Sequence, residues 1–401
     1  MSQSVERVSD DGRARRNALR LAAAQALAGA NATVVFATGA IVGATLAPDK
    51  AWATLPISIF VVGMAAGTLP TGWMARRFGR RAAFMAGSGC GCAAGLVAAA
   101  ALLLGSFPLY CVATFLAGLY GAVVQSFRFA AADGASATFR PRALSWVMAG
   151  GVFSGVLGPQ LVTWTMNIWQ PYLFAASYLA QAAVALVAMA VLAGVDLPKP
   201  VRAETNAGRP LGEIARQPRF VVAVLCGVIT YVLMNLVMTS APLAMRLCGL
   251  PVAASNSAIQ WHVIAMYGPS FFTGSLIARF GAQRIVAVGL ALLAAAAAVG
   301  LSGLSVTHFV VGLVLLGVGW NFGFVGASSL VLEAHRPEER TRVQSFNDFL
   351  VFGTMALGSF SSGQVLIVFG WPAVNLIVLP LVAVGLVALA VAALLRRRVL
   401  A

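Results

Sequence analysis

The sequence predicts an all-α polytopic membrane protein, with twelve transmembrane helices in two pseudo-symmetric halves of six. Three observations carry this. Hydrophobic residues make up 60% of the 401 and charged residues only 10%, whereas soluble domains carry about a quarter charged. Twelve apolar stretches reach the roughly 20 residues that cross a bilayer. Two short motifs also recur half a chain apart, as an internal repeat would.

In chain order the spans centre near Asn31, Gly63, Ala93, Gly118, Ser154, Ala182, Ile229, Met266, Leu293, Gly319, Met355 and Val384. The first, apolar from about Leu21 to Leu46, is too long for the core of a cleavable signal, and no small-residue cleavage site precedes a mature domain. Transmembrane β-strands are excluded because they would alternate every second residue. Lys and Arg are retained on the cytoplasmic side during insertion. With both termini inside, only Lys50 and Arg246 of the 27 basic residues fall in outer loops. The expectation is a multi-pass protein of the inner (plasma) membrane with cytoplasmic termini. The net charge of +15 sits in short clusters between apolar runs, so no nucleic-acid partner is expected. Cys90, Cys92, Cys111, Cys226 and Cys248 lack CxxC spacing and lie mostly in spans, which suits packing rather than a disulfide or metal site.

The repeat is carried by "GWMARRFGRR", Gly72 to Arg81, and "GSLIARFGAQR", Gly274 to Arg284. Gly72, Arg77, Phe78 and Gly79 match Gly274, Arg279, Phe280 and Gly281 at an offset of 202. A second pair, "DGASATFRPRALSW" from Asp133 and "EAHRPEERTRVQSF" from Glu333, agrees at 200, aligning Arg140 with Arg340, Arg142 with Arg342 and Ser145 with Ser345. The expected domains are residues 1–194 and 219–401, joined by a polar cytoplasmic linker, 195–218.

Six plus six spans, a charged central linker and a G-x-x-x-D-x-x-G-R-R type loop after span two resemble the major facilitator superfamily of secondary transporters. The resemblance covers about Leu19 to Arg398. It implies that Gly72 lets spans two and eleven approach, that Gly79 makes the tight turn, and that Arg77, Arg80 and Arg81 hold the loop at the cytoplasmic face. Where the family usually carries Asp, this chain has Arg76. A cation there needs a partner, and Asp348 near the start of span eleven is the candidate, giving a charge-swapped gate with Arg76 or Arg77. The alternative pairs Asp348 with Arg342 or Arg128. Asp133 and Arg128, near the inner end of span four, suit an ion pair or gate rather than substrate contact.

The resemblance also implies alternating access around a site near the midplane, between the halves. Polar and aromatic residues at that depth are Asn31, Tyr120, Gln160, Trp164, Tyr231, Asn235, Trp261, Trp320 and Asn321, with Tyr267 nearby. Thr33 and Gln260 suit helix-to-helix hydrogen bonds. No Asp, Glu, Lys or Arg stands at mid-depth, so a strongly charged substrate would go uncompensated. Amides with Trp and Tyr faces suit a neutral, planar, hydrogen-bonding molecule, such as a drug-like aromatic, a nucleobase-like compound or a ring vitamin such as riboflavin. His262 titrates nearest physiological pH and is the candidate proton carrier, with a neutral helix-interface role as the alternative.

Thr114 stands where proton-coupled exporters of this family usually carry arginine, and Ser154, Val162 and Thr163 replace glycines of the antiporter motif around Gly158. The expectation is therefore uptake of a small neutral organic compound by a monomer, without cofactor or metal. Proton-coupled efflux of drugs or metabolites is the alternative, and a non-transporting membrane sensor the alternative of another class. GxSxG, HExxH and Walker-type phosphate loops are absent from the sequence, leaving enzymatic readings without their parts.

Overall fold

The computed structural model describes residues 11–49, 52–197 and 208–400. The extreme termini, residues 50–51 and linker residues 198–207 lie outside the described residues. The expected first span is formed by α1 (Asp11–Ala28) and α2 (Ala30–Leu46), joined through Gly29. It begins about ten residues earlier than its apolar run, with Arg13, Arg15, Arg16 and Arg20 spread over its basic N-terminal turns. There follow α3 (Leu55–Phe78), α4 (Arg80–Leu104), α5 (Phe107–Ala132), α6 (Arg140–Thr165) and α7 (Ala175–Ala193). The linker ends in the short α8 (Leu211–Ala215). The second half comprises α9 (Pro218–Leu247), α10 (Val252–Tyr267), α11 (Ser270–Phe280), α12 (Ala282–Ser302), α13 (Val306–Glu333), α14 (Arg340–Leu376) and α15 (Val378–Leu400). Proline in the first turn starts α3, α5, α6 and α9, where its missing N–H leaves no helical bond unmade.

Among the described residues, ten helical stretches are long and apolar enough to cross a membrane. The count falls short of twelve at two places. The expected eighth span is interrupted at Gly268-Pro269 into α10 and α11, since Pro269 has no N–H to continue the ladder. The expected eleventh span, in the first part of α14, is not counted separately; the last counted stretch, Val365–Leu394, runs from the end of α14 across a kink at Gly370 (φ 78°, ψ 176°) into α15, where the expected twelfth span lies.

Lipid tails are as apolar as leucine, so helix association in a membrane rests on close packing rather than on the hydrophobic effect. This chain achieves it with small residues. The α3–α5 crossing brings Gly63 onto Gly118, and α12 meets α13 where Gly289 abuts Gly319 and Gly323.

The two most extensive crossings between the halves are α3 with α14 and α6 with α11, and they are the two sequence repeats in contact with each other. A Cβ at Gly72 would collide with the side chain of Ser345, and one at Gly274 with Ser145 and the backbone of Pro141 and Arg142. Each repeat's first glycine thus sits on the other half's matched serine. The second glycines, Gly79 (φ 90°) and Gly281 (φ 86°), take the left-handed turn between consecutive helices, a region closed to most side chains. These loops, the described part of the linker and the arginine clusters beside them lie at one end of the bundle, the basic end.

At that end Glu339, before α14, holds the described part of the linker. Its carboxylate accepts from Arg209 Nε (2.8 Å), Nη2 (2.7 Å) and backbone N (2.9 Å), and from Arg336 N (2.9 Å). The Arg209 hydrogen bonds hold its pKa down at about 2, from an ordinary 4.5.

Two outcomes are expected. Gly72→Val forces a side chain into Ser345, and such overpacking costs about 1–3 kcal/mol or more. It should lower thermal stability and yield of monodisperse protein, whereas Gly212→Val, with open space at its Cβ, should not. Because the folded pKa of Glu339 is depressed, its stabilisation is complete above pH 4.5 and lost as pH falls towards about 2. Melting curves across that window should show the loss in the parent protein and a smaller pH dependence in Glu339→Gln.

Candidate transport site and its closure

From the basic end towards the middle of the bundle, the interface between the halves is layered. In the outermost layer Arg80, on the first turn of α4, donates from Nε to Asp133 Oδ2 (2.5 Å) and from Nη2 to Gln344 Oε1 (2.5 Å) on α14. Arg340 Nε lies 3.9 Å from the same Asp133 oxygen. Gln344 Nε2 donates to His335 Nε2 (3.2 Å), while His335 Nδ1 meets the Arg336 carbonyl (3.0 Å). Both contacts require the neutral Nδ1–H tautomer, and burial pushes the His335 pKa below its ordinary 6.5.

The next layer is one ion pair. Arg128 Nη2 on α5 donates to Asp348 Oδ1 on α14 at 2.5 Å, with both side chains at most 5% exposed. Arg128 also donates from Nε to Ser328 Oγ (3.3 Å) and to the Gln125 carbonyl, and its guanidinium lies over the rings of Phe129 (4.4 Å) and Phe324 (4.7 Å). Asn347 Nδ2 donates to the same carboxylate oxygen at 3.0 Å. The partner of Asp348 is therefore Arg128, and the expected Arg76/Arg77–Asp348 gate is corrected. Arg76 is half-buried at the α3–α14 crossing, Arg77 is exposed with its guanidinium over Trp73 and Phe78, and Arg81 is exposed.

Above this pair stands an aromatic floor. The Tyr231 ring makes edge contacts with Trp320 (5.6 Å), Phe324 (5.0 Å) and Phe352 (5.3 Å), and Tyr267 meets Trp320 at 5.5 Å. Gly151 of the first half accommodates the Tyr267 ring. Across the junction Gln125 Nε2 donates to the Tyr231 hydroxyl at 3.5 Å. The Trp320 indole N–H is buried without a partner. One turn beyond Tyr231 on the same face of α9 is Asn235, buried, with no side-chain hydrogen bond among the described residues.

The other expected site residues are not gathered here. Asn31 donates to the Ala117 carbonyl (3.0 Å) and accepts from Gln181, tying α2 to α5 and α7. Asn321 donates to the Met266 carbonyl (2.6 Å) and Ser270 Oγ (2.5 Å) and accepts from Thr273 (2.7 Å), tying α13 to the interrupted α10–α11. Both amides are consumed by helix-to-helix bonds within a half. Thr33 likewise donates to the Ser154 carbonyl at 3.2 Å. Tyr120 is buried with its ring over Gly91 of α4, away from the floor. Gln160, Trp164 (67% exposed) and Trp261 (53% exposed) lie beyond the floor on outer turns of α6 and α10. His262 is fully buried, its Nδ1 on the Leu313 carbonyl (2.7 Å) and its Nε2 without a partner. That places it as a packed ring at the interface of α10 and α13. Gln125, Gln344, Ser328, Phe324 and Phe352 were missed. Gln344 and Asp348 stand four apart, one helical turn, which was the available signal.

The two-halved helical bundle, closed at one end by ion pairs above which aromatic side chains converge, defines a polytopic transporter class. A family model described as Major Facilitator Superfamily matches residues 21–269 and 253–400, and the chain belongs to that superfamily of secondary transporters. It is 48% identical to the riboflavin transporter RfnT of Brucella anthropi over 386 residues, covering 95% of this chain and 97% of that protein. It is 29% identical to the uncharacterized MFS-type transporter YdeG of Bacillus subtilis, over 88% of this chain and 86% of that one. Among solved structures it resembles the E. coli fucose:proton symporter FucP (TM-score 0.74, 13% identity, 94% of this chain and 97% of that chain). A bacterial homologue of the iron transporter ferroportin is similar too (TM-score 0.72, 13% identity, 94% and 98%).

The geometry separates the asparagines. Asn31→Ala and Asn321→Ala each orphan buried partners, a loss of about 1–3 kcal/mol, and should lower melting temperature while leaving the substrate KM of the surviving protein near its parent value. Asn235→Ala should leave the melting temperature within a degree or two and weaken ligand binding. Parallel melting and binding measurements check both.

Proposed function

We propose that this transporter takes up riboflavin or a closely related flavin, bound between the halves against the Tyr231, Tyr267 and Trp320 rings. The observation that carries the reading is the 48% identity, over almost the whole chain, to a protein named a riboflavin transporter. The floor suits such a ligand. A flavin presents a flat tricyclic ring, which aromatic faces and edges accommodate, and a pyrimidine edge of alternating donors and acceptors. The unpartnered Asn235 amide offers both a donor and an acceptor, and the Trp320 N–H offers a donor. The charges beside the floor, Arg128 and Asp348, neutralise each other, in keeping with an uncharged substrate.

In this reading the chain acts as a monomer and not as an enzyme. The basic end faces the cytoplasm, as retention of positive loops requires, so the closure described above shuts the inner side and the substrate enters from the other. Residues 1–194 and 219–401 rock as two arms about the floor, with 195–218 as the tether. Coupling is not assigned to His262, whose ring is held between α10 and α13. Asp348 is the carboxylate through which a proton would act on the closure, because protonation removes the counter-charge of Arg128.

Uptake of labelled riboflavin by riboflavin-requiring cells expressing the protein tests the reading directly. Uptake above the empty-vector level is expected, with Asn235→Ala raising KM about tenfold, as loss of one hydrogen bond worth roughly 1.4 kcal/mol would. Absence of riboflavin uptake, or riboflavin-independent extrusion of unrelated aromatic compounds, would favour the efflux reading.

A further inference from the structure

The arginines of the opening repeat are not all used by the closure. Arg80 is tied to Asp133 and Gln344. Arg76, one turn past Gly72 on α3, instead lies beside the start of α14, where Gly72 packs on Ser345 and near the Thr341 carbonyl, and Arg342 stands three residues before Ser345. Both are half-buried at the crossing that joins the halves. Neither takes part in any ion pair among the described residues, where Asp133, Asp348 and Glu339 are engaged by Arg80 and Arg340, Arg128, and Arg209 respectively. Independently, the Arg342 Nε–H is buried without an acceptor, its terminal nitrogen being spent on the Arg209 carbonyl. Two like charges and an orphaned donor at a tight helix crossing call for an anion.

The surroundings indicate which one. On the same turns of α3, Trp73 and Phe78 are more than half exposed, and the Arg77 guanidinium lies over both rings, 6.0 and 5.6 Å from their centroids. In a membrane protein, exposed aromatics beside arginine mark the headgroup depth. Guanidinium groups bind phosphate oxygens through paired N–H donors. We propose that Arg76 and Arg342 form a site for the phosphate of an anionic phospholipid headgroup, which bridges α3 and α14 at the basic end. The bridge exists only while the two helices are crossed, so bound lipid favours the state closed at the basic end, as any ligand favours the state that binds it better.

Melting of the purified protein in nanodiscs of phosphatidylcholine or of phosphatidylglycerol tests this, with inorganic phosphate added to the detergent-solubilised protein as the soluble counterpart. The parent protein should melt several degrees higher in phosphatidylglycerol, and Arg76→Ala should lose most of that shift. Arg77→Ala and Arg81→Ala, which remove the same charge outside the site, should keep it. Arg76→Asp supplies its own partner to Arg342, so it should be stable in phosphatidylcholine and insensitive to the change of lipid. An equal phosphatidylglycerol shift in Arg76→Ala and the parent, or none in the parent, would overturn the site. The same shift from inorganic phosphate, lost in Arg76→Ala, would overturn the lipid as its occupant.

Discussion

The arrangement of this protein depends on a buried charge pair, Arg128 with Asp348, at the junction of its halves. Neither group could remain there alone. An ion removed from water costs several kcal/mol, and only a well-placed partner with further hydrogen bonds offsets it. The partners come from different halves, α5 and α14, so the offset exists only while the basic end is closed. Around the pair, Phe129 and Phe324 flank the guanidinium, Ser328 and Gln125 take its remaining donors, and Asn347 supports the carboxylate. Opening that end would expose or neutralise both charges together.

The pair is also where the two halves stop being copies. Gly72 on Ser345 and Gly274 on Ser145 are the same contact made twice, once from each half. At the repeat offset, by contrast, Arg128 corresponds to Ser328 and Asp348 to Met148, neither of them charged. Arg128 in fact donates to Ser328, its own counterpart, so the pair sits close to the pseudo-symmetry axis. The symmetric glycine crossings let the halves approach, and the asymmetric ion pair makes the approach at the basic end energetically distinct. In the proposed reading, a substrate on the Tyr231–Trp320 floor would lie directly above that asymmetry.

Much of this was legible in the sequence because the physics is local. Apolar length gave the spans, and glycine spacing marked Gly72 and Gly79 because a tight crossing and a left-handed turn leave few residue choices. The interrupted eighth span was not anticipated, although Gly268-Pro269 carried the signal. What sequence position conveys poorly is direction around a helix. Asn31 and Asn321 stand at the depth of a transport site, yet each points into its own half and spends its amide on backbone and neighbouring side chains. Asn235 has the same residue type and depth but continues the face of Tyr231. Arg76 looked like the partner of Asp348 because the resemblance sets the loop after span two against the start of span eleven, whereas the side chain that reaches the carboxylate leaves α5, more than two hundred residues earlier in the chain.

The central claim is that Arg128 and Asp348 are tolerated in the interior because each compensates the other. A double-mutant cycle on thermal or denaturant unfolding, with Arg128→Met, Asp348→Asn and both together, tests it most directly. Each single change leaves a buried, uncompensated group and should cost about 3 kcal/mol or more, while the double change should recover much of that loss. A double variant whose loss equals the sum of the singles would show that the two groups act independently, and the closure described here would then rest on something else.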